Sequence, residues 1–95
     1  MLKTYCFDIN DYGLVKSFQG EKGRIKNVYL WAESDKALRI TLIADRYREI
    51  ITDALTAKGL VKLPVSYQAK KRQMKLVVKS VEPVKAKLNI TIEYD

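Results

Sequence analysis

Apolar and polar residues alternate with a period of two along most of this chain, and this pattern restricts the fold more than any other feature. The alternation is clearest near the C-terminus, where Leu88, Ile90, Ile92 and Tyr94 are separated by polar residues. Successive side chains of a β-strand point to opposite faces, so the pattern is typical of strands with one buried face. The sequence therefore predicts a mainly β, antiparallel protein. The predicted strands cover residues 2–7, 14–19, 24–33, 38–44, 60–68, 74–81 and 87–94.

One segment, residues 45–58, has a helical pattern instead. Its apolar residues recur at spacings of three and four, which is typical of an amphipathic helix. Asp45 is a suitable N-cap, and Gly59 is a suitable C-terminal stop. The sequence therefore predicts one short helix. Its buried face would consist of Tyr47, Ile50, Ile51, Ala54 and Leu55.

The chain has 95 residues, enough for one domain with one modest core. We expect a single domain over residues 1–95. The predicted order of elements in residues 12–84 is three strands, a helix and two strands. This order resembles the OB-fold, a partly open barrel that binds oligonucleotides. The resemblance implies an antiparallel OB-like barrel with an extra strand at each end, and with binding loops at residues 19–24 and 69–73.

Positive charge is concentrated in one part of the sequence. Residues 58–87 contain nine of the 18 Lys and Arg residues and a single acid, Glu82, in a chain of net charge +7. Such a concentration favours a polyanionic partner. Lys70, Lys71 and Arg72 lie between two predicted strands, so a tight turn would expose all three. A solvated hairpin tip without a partner would have the same sequence.

Nucleic-acid binding needs cations for the phosphates and exposed aromatic rings for the bases, each stack being worth roughly 1–3 kcal/mol. If Val28 and Leu30 point into the core, Tyr29 and Trp31 lie on the opposite face of their strand. A register shift of one residue would bury both rings instead. Lysines on the late hairpin could equally protect a strand edge from pairing. The predicted nucleic-acid-binding residues are Lys26, Tyr29, Trp31, Arg39, Lys70, Lys71, Arg72, Lys75 and Lys79.

A second resemblance concerns residues 59–84, which read GLVKLPVSYQAKKRQMKLVVKSVEPV. This segment resembles the late hairpin of the small dimeric single-stranded-DNA-binding proteins of filamentous phages. The resemblance implies binding to single-stranded nucleic acid without sequence preference, with DNA favoured over RNA. Two other classes stay open, a small-barrel adaptor or inhibitor that docks an acidic protein, and a structural subunit of a phage or mobile-element assembly.

Several other classes are disfavoured. The chain has no histidine, which excludes imidazole catalysis and histidine-ligated zinc, and no residue pattern indicates an enzyme, a cofactor or a metal. Its one cysteine, Cys6, cannot form an internal disulfide, and alternation predicts that it is buried. Its apolar runs are too short to span a membrane. We therefore expect a cytoplasmic, non-catalytic protein.

The final strand, within residues 86–95, is amphipathic and is preceded by Pro83. A strand separated in this way could pair with a second copy of the chain. The sequence therefore predicts a homo-oligomer that forms through the C-terminal strand.

Overall fold

The computed structural model describes residues 1–95 and contains four long β-strands and no helix. Strands make up 87% of the chain. All neighbouring pairs are antiparallel, in one sheet of order β1-β4-β2-β3. The strands are β1 (Leu2–Gln19), β2 (Gly23–Ala44), β3 (Glu49–Ala69) and β4 (Gln73–Tyr94).

The sheet folds over on itself because its strands are too long to be straight. A straight strand of 22 residues would span about 70 Å, whereas the longest dimension of the molecule is 35 Å. The pairing register shifts near the middle of the strands, between Asp11 and Gly13 in β1 and between Glu33 and Leu38 in β2. At these positions the strands bend and the two halves of the sheet come face to face.

The fold therefore has two layers, each with four half-strands in the same order. The register places residues 2–11, 84–94, 23–33 and 58–69 in the first layer, and residues 13–19, 73–79, 38–44 and 49–56 in the second. Alternate residues of β2 and β4 are buried in both layers and form one cluster. A lone flat sheet could not bury them, so the core lies between the layers. It includes Val28, Leu30, Ile40, Leu42, Leu76, Leu88, Ile90 and Ile92, all fully buried.

The two-layered sheet has two different ends, one made of strand bends and one made of loops. The strand bends, near residues 11–13, 34–37, 56–58 and 80–83, form one end of the molecule, called here the bend end. The three loops at residues 20–22, 45–48 and 70–72 form the other end, called here the loop end. Because each strand bends back by half its length, both of its termini return to the loop end.

The predicted helix is wrong. Residues 45–48 are a turn, and residues 49–58 belong to β3. Two features explain the error. Ile50, Ile51 and Thr52 are β-branched, which favours a strand. As an edge strand, β3 also leaves Ile50 and Leu55 exposed, at 65% and 73%, so its apolar residues do not follow a period of two.

The OB-like barrel is also wrong, because the structure is one open four-stranded sheet with β1 and β3 at its edges. The strands predicted at 24–33 and 38–44 are two halves of β2, and those at 74–81 and 87–94 are two halves of β4. The C-terminal strand has no free edge, because residues 88–93 pair with β1 on one side and β2 on the other. Homo-oligomerisation stays a prediction, but the free backbone groups are on β1 and β3.

The predicted burial of Cys6 is also wrong. Cys6 is exposed, contrary to the expected burial, because it lies on the outer face of β1 opposite Asn89. The structure contains no helix that could cross a membrane.

Candidate functional site

Hydrogen bonds tie the three loops of the loop end together. The backbone N–H of Gly20 donates to the carbonyl oxygen of Arg72 at 2.7 Å, which joins the first loop to the third. The carboxylate of Asp45 accepts hydrogen bonds from the backbone N–H groups of Lys70 and Lys71 at 3.0 and 2.9 Å, which joins the second loop to the third. The side chains of these loops are therefore brought close together although they are far apart in sequence.

These loops enclose a shallow depression of about 490 Å³, called here the basic pocket. Its lining contains five cationic side chains and two amides, with no acid and no apolar residue. All five cations are exposed and none forms an ion pair. None of them is within ion-pair distance of a carboxylate. The lining consists of Gln19, Lys22, Arg46, Lys70, Lys71, Arg72 and Gln73.

The bend end contains cations too, but they are mixed with acids. A depression of about 330 Å³ there is lined by Lys58 and Lys85 together with Glu33 and Asp35. Nearby carboxylates reduce the positive potential that these lysines present to an anion. The basic pocket differs from this depression in having no acid in its lining, although a neighbouring depression at the loop end is lined by Asp45 and Glu49 together with Lys70 and Lys71.

Asp45 lies beside the basic pocket without lining it. Desolvation raises the pKa of this carboxyl, but hydrogen bonds from the Tyr67 hydroxyl and from the backbone of Lys71 and Lys70 lower it by more. The net pKa is below the ordinary value, so Asp45 is ionised at neutral pH. Its charge acts on the backbone donors of Lys70 and Lys71 and on the Lys70 ammonium, and it holds the 70–72 loop in place.

The nine residues predicted to bind nucleic acid occupy three separate surfaces. Lys70, Lys71 and Arg72 lie in the basic pocket. The register places Tyr29 and Trp31 on the outer face of the first layer, with Lys26 at a nearby register shift. It places Lys75, Lys79 and Arg39 on the outer face of the second layer, where Arg39 pairs opposite Lys79. One continuous track over all nine residues is therefore not formed.

The aromatic pair of the first layer has a mixed environment. Trp31 is 37% exposed, while Tyr29 is half-buried. The hydroxyl of Tyr29 donates to the carboxylate of Glu93 at 3.0 Å, and the Lys62 ammonium lies 5.9 Å from the centre of the Tyr29 ring. Lys26 lies 3.7 Å from the carboxylate of Asp95. Glu93 therefore holds the Tyr29 hydroxyl and Asp95 pairs with Lys26, which makes this face less suitable for a polyanion than the basic pocket.

Arg39 is the one predicted residue of the second layer that is fully paired. Its guanidinium donates two hydrogen bonds to the carboxylate of Asp53, at 3.1 and 2.8 Å. The hydrogen bonds and charge of this pair raise the pKa of Arg39 and lower that of Asp53. Lys75 and Lys79 have no such partner and keep their charge.

Sequence reasoning missed two of the five cations in the basic pocket, Lys22 and Arg46. Lys22 follows an acid in the sequence, Glu21, which would reduce its charge for a ligand, but Glu21 lies 3.5 Å from Lys3 instead. Arg46 lies within the predicted helix, which does not form. The triplet Arg46-Tyr47-Arg48, basic residues around an aromatic one, is the sequence signal that could have indicated this turn.

Comparison with known proteins identifies the fold only. No family model matches the chain, and no curated protein matches it. Among solved structures, the mitogen derived from Yersinia pseudotuberculosis has a TM-score of 0.61 at 14% identity, over 100% of this chain and 87% of that chain. PirA has a TM-score of 0.61 at 14% identity, over 95% of this chain and 93% of that chain. A chain from the disulfide-linked pili of Bacillus endospore appendages has a TM-score of 0.50 at 8% identity, over 100% of this chain and 88% of that chain.

These similarities show a small antiparallel all-β fold. The neighbours are not OB-fold single-stranded-DNA-binding proteins, so the expected membership of that group is not supported. Identities of 8–14% are too low to carry a function from one chain to another.

Proposed function

We propose that this protein is a non-catalytic binding protein that holds the phosphate backbone of single-stranded nucleic acid in the basic pocket, without reading sequence. The observation that carries the proposal is the lining of that pocket, in which five unpaired cations converge with no acid among them. Each cation that neutralises a phosphate releases a counterion, which is the main source of sequence-independent affinity.

The shape of the pocket favours a single strand. Duplex DNA is stiff, with a persistence length of about 50 nm, so fewer of its phosphates can converge on one depression. A single strand rotates freely about its backbone bonds and can direct neighbouring phosphates into a depression of about 490 Å³. Gln19 and Gln73 add neutral hydrogen-bond donors at the same place. DNA and RNA have the same phosphate groups, so the experiment includes both kinds of single strand.

The test is fluorescence anisotropy of labelled oligo(dT), single-stranded RNA and duplex DNA, titrated with the full chain at several salt concentrations. We expect single strands to bind more tightly than the duplex, with an affinity that falls steeply with salt. The triple variant Lys70→Ala/Lys71→Ala/Arg72→Ala removes three of the five cations. The slope of log K against log salt should become shallower by about 2, since each phosphate contact contributes roughly 0.7 for single strands.

The matched control is Lys58→Ala/Lys85→Ala/Lys87→Ala, which removes the same charge from residues at or near the bend end. This variant should keep almost all of the wild-type affinity. Equal losses in the two variants would mean that net charge alone attracts the strand and that the basic pocket is not the site. Absence of binding at low salt would overturn the proposal and point to an acidic protein as the partner.

A further inference from the structure

The turn between β2 and β3 projects an aromatic ring beside the basic pocket. Arg46, Tyr47 and Arg48 are consecutive exposed residues of this turn, and Arg46 itself lines the pocket. Asp45, Arg46 and Tyr47 have φ angles of 51°, 58° and 70°. Side chains other than glycine adopt this left-handed region rarely, and such strain is concentrated at functional sites.

Contacts with the second layer fix the position of the Tyr47 ring. Its hydroxyl donates to the hydroxyl oxygen of Ser17 at 2.8 Å. The Lys75 ammonium lies 5.4 Å from the centre of the ring. Even so, the residue is 45% exposed, so a large part of the ring remains open to solvent. The ring is therefore held in one orientation at the junction of the basic pocket and the outer face of the second layer.

The charge of that outer face continues the charge of the pocket. Along β4, Gln73 lines the pocket, and Lys75 and Lys79 follow on the same face of the strand. Neither lysine forms an ion pair. Positions 73 and 79 are about 20 Å apart along an extended strand. Unpaired cations thus follow the second layer from the loop end toward the bend end.

We propose that Tyr47 is the base-stacking residue of the site, and that the strand leaves the basic pocket over Tyr47 and continues along Lys75 and Lys79. This inference rests on the proposed function and adds the path of the ligand to it. An aromatic ring stacks with every base, so the contact adds affinity without sequence preference. The ring follows Arg46 of the basic pocket and has the Lys75 ammonium over it, whereas on the opposite layer the Tyr29 hydroxyl is bonded to the carboxylate of Glu93.

The test compares oligo(dT) with an abasic oligonucleotide of equal length, which has the same phosphates but nothing to stack. Tyr47→Ala should weaken binding of oligo(dT) about 5- to 150-fold, the range for loss of one base–aromatic stack. It should leave binding of the abasic strand unchanged. Tyr47→Phe keeps the ring and should bind oligo(dT) nearly as well as the wild type. Trp31→Ala is the matched control on the opposite layer and should have no effect.

A fluorescent reporter gives a second measurement that does not depend on a truncated side chain. The chain has one tryptophan, Trp31, so Tyr47→Trp in the Trp31→Phe background places the only indole at the site. Its emission should be quenched by oligo(dT) and not by the abasic strand.

Salt-dependent binding that is equal for Tyr47→Ala and the wild type, together with no quenching at position 47, would overturn this inference and leave the proposed function intact. If the wild type binds no nucleic acid at all, the proposed function itself is overturned.

Discussion

The carboxylate of Asp45 accepts a hydrogen bond from the backbone N–H of Lys71 at 2.9 Å, and the two residues are 26 positions apart in the chain. The same carboxylate accepts hydrogen bonds from the backbone of Lys70 and from the hydroxyl of Tyr67. One ionised group therefore fixes the two loops that contribute four of the five cations of the basic pocket. Its carboxylate does not line the pocket, although its charge also acts on the Lys70 ammonium.

Replacing Asp45 with Ala should destabilise the protein. The change removes the acceptor of two exposed backbone donors, each such hydrogen bond contributing about 0.5–1.5 kcal/mol net, and it puts Ala at a φ of 51°. Asp45→Asn should cost less, because asparagine tolerates this conformation and its carbonyl oxygen can still accept. The free energy of unfolding in urea measures both effects. Asp35→Ala, an exposed acid at the bend end, is the control. An equal cost for Asp35→Ala and Asp45→Ala would contradict the role assigned to the hydrogen bonds.

The strands in the interior of the sheet, much of the edge strand β1 and the second half of β3 could be predicted from the sequence, and the first half of β3 could not. In β4 the alternation of Leu88, Ile90, Ile92 and Tyr94 matches their burial, because neighbours on both sides and a facing layer cover one face completely. In the first half of β3, the exposed apolar residues Ile50 and Leu55 obscure the period of two. The pairing of β1 with β4 was not predictable, because alternation identifies the faces of a strand and says nothing about its neighbours.

For the candidate site, exposure was predictable and proximity was not. The turn chemistry around Lys70, Lys71 and Arg72 indicated an exposed loop, and the structure places that loop at the surface. The contribution of Lys22 and Arg46 depends on how strands bend and return to one end, which no local pattern encodes. The outward direction of Trp31 followed from alternation, but its separation from Arg39 by the thickness of the core follows only from the fold of the sheet.

The bend of β1 should be sensitive to the size of the residue at Gly13. A Cβ atom at this position would collide with the carbonyl oxygen of Val78 in the neighbouring strand, and the φ angle is 144°. Gly59 is a matched comparison, because it has a φ of 96° but no atom within 4 Å of an added Cβ. Gly59→Ala should cost about 1–2 kcal/mol from conformation alone, and Gly13→Ala should cost clearly more. Thermal denaturation of the two variants gives the comparison, and equal melting temperatures would show that the backbone at Gly13 moves freely.

High pH should weaken the fold through Tyr67. Burial, together with the hydrogen bond and charge of Asp45, raises the pKa of Tyr67 to about 12, compared with about 10 in an unfolded chain. Because the pKa is higher in the folded state, the protonated Tyr67 hydroxyl stabilises the fold. This stabilisation is fully present below pH 10 and is lost as the pH rises toward 12. Urea denaturation at increasing pH should show this loss, and Tyr67→Phe should reduce it. An identical pH dependence in Tyr67→Phe would mean that other tyrosines cause it.

Asp53 should limit the affinity of the second layer for nucleic acid. Its carboxylate forms an ion pair with two hydrogen bonds to the Arg39 guanidinium. Arg39 lies opposite Lys79 on the neighbouring strand, and Lys79 is on the proposed path of the ligand. Asp53→Asn removes the acid and leaves the arginine charge unpaired, so oligo(dT) should bind more tightly and the salt slope should steepen by about 0.7. The loss of this solvent-exposed ion pair should change the stability of the fold little. Asp35→Asn makes the same charge change at the bend end, and an equal gain in affinity there would mean that the strand does not pass Arg39.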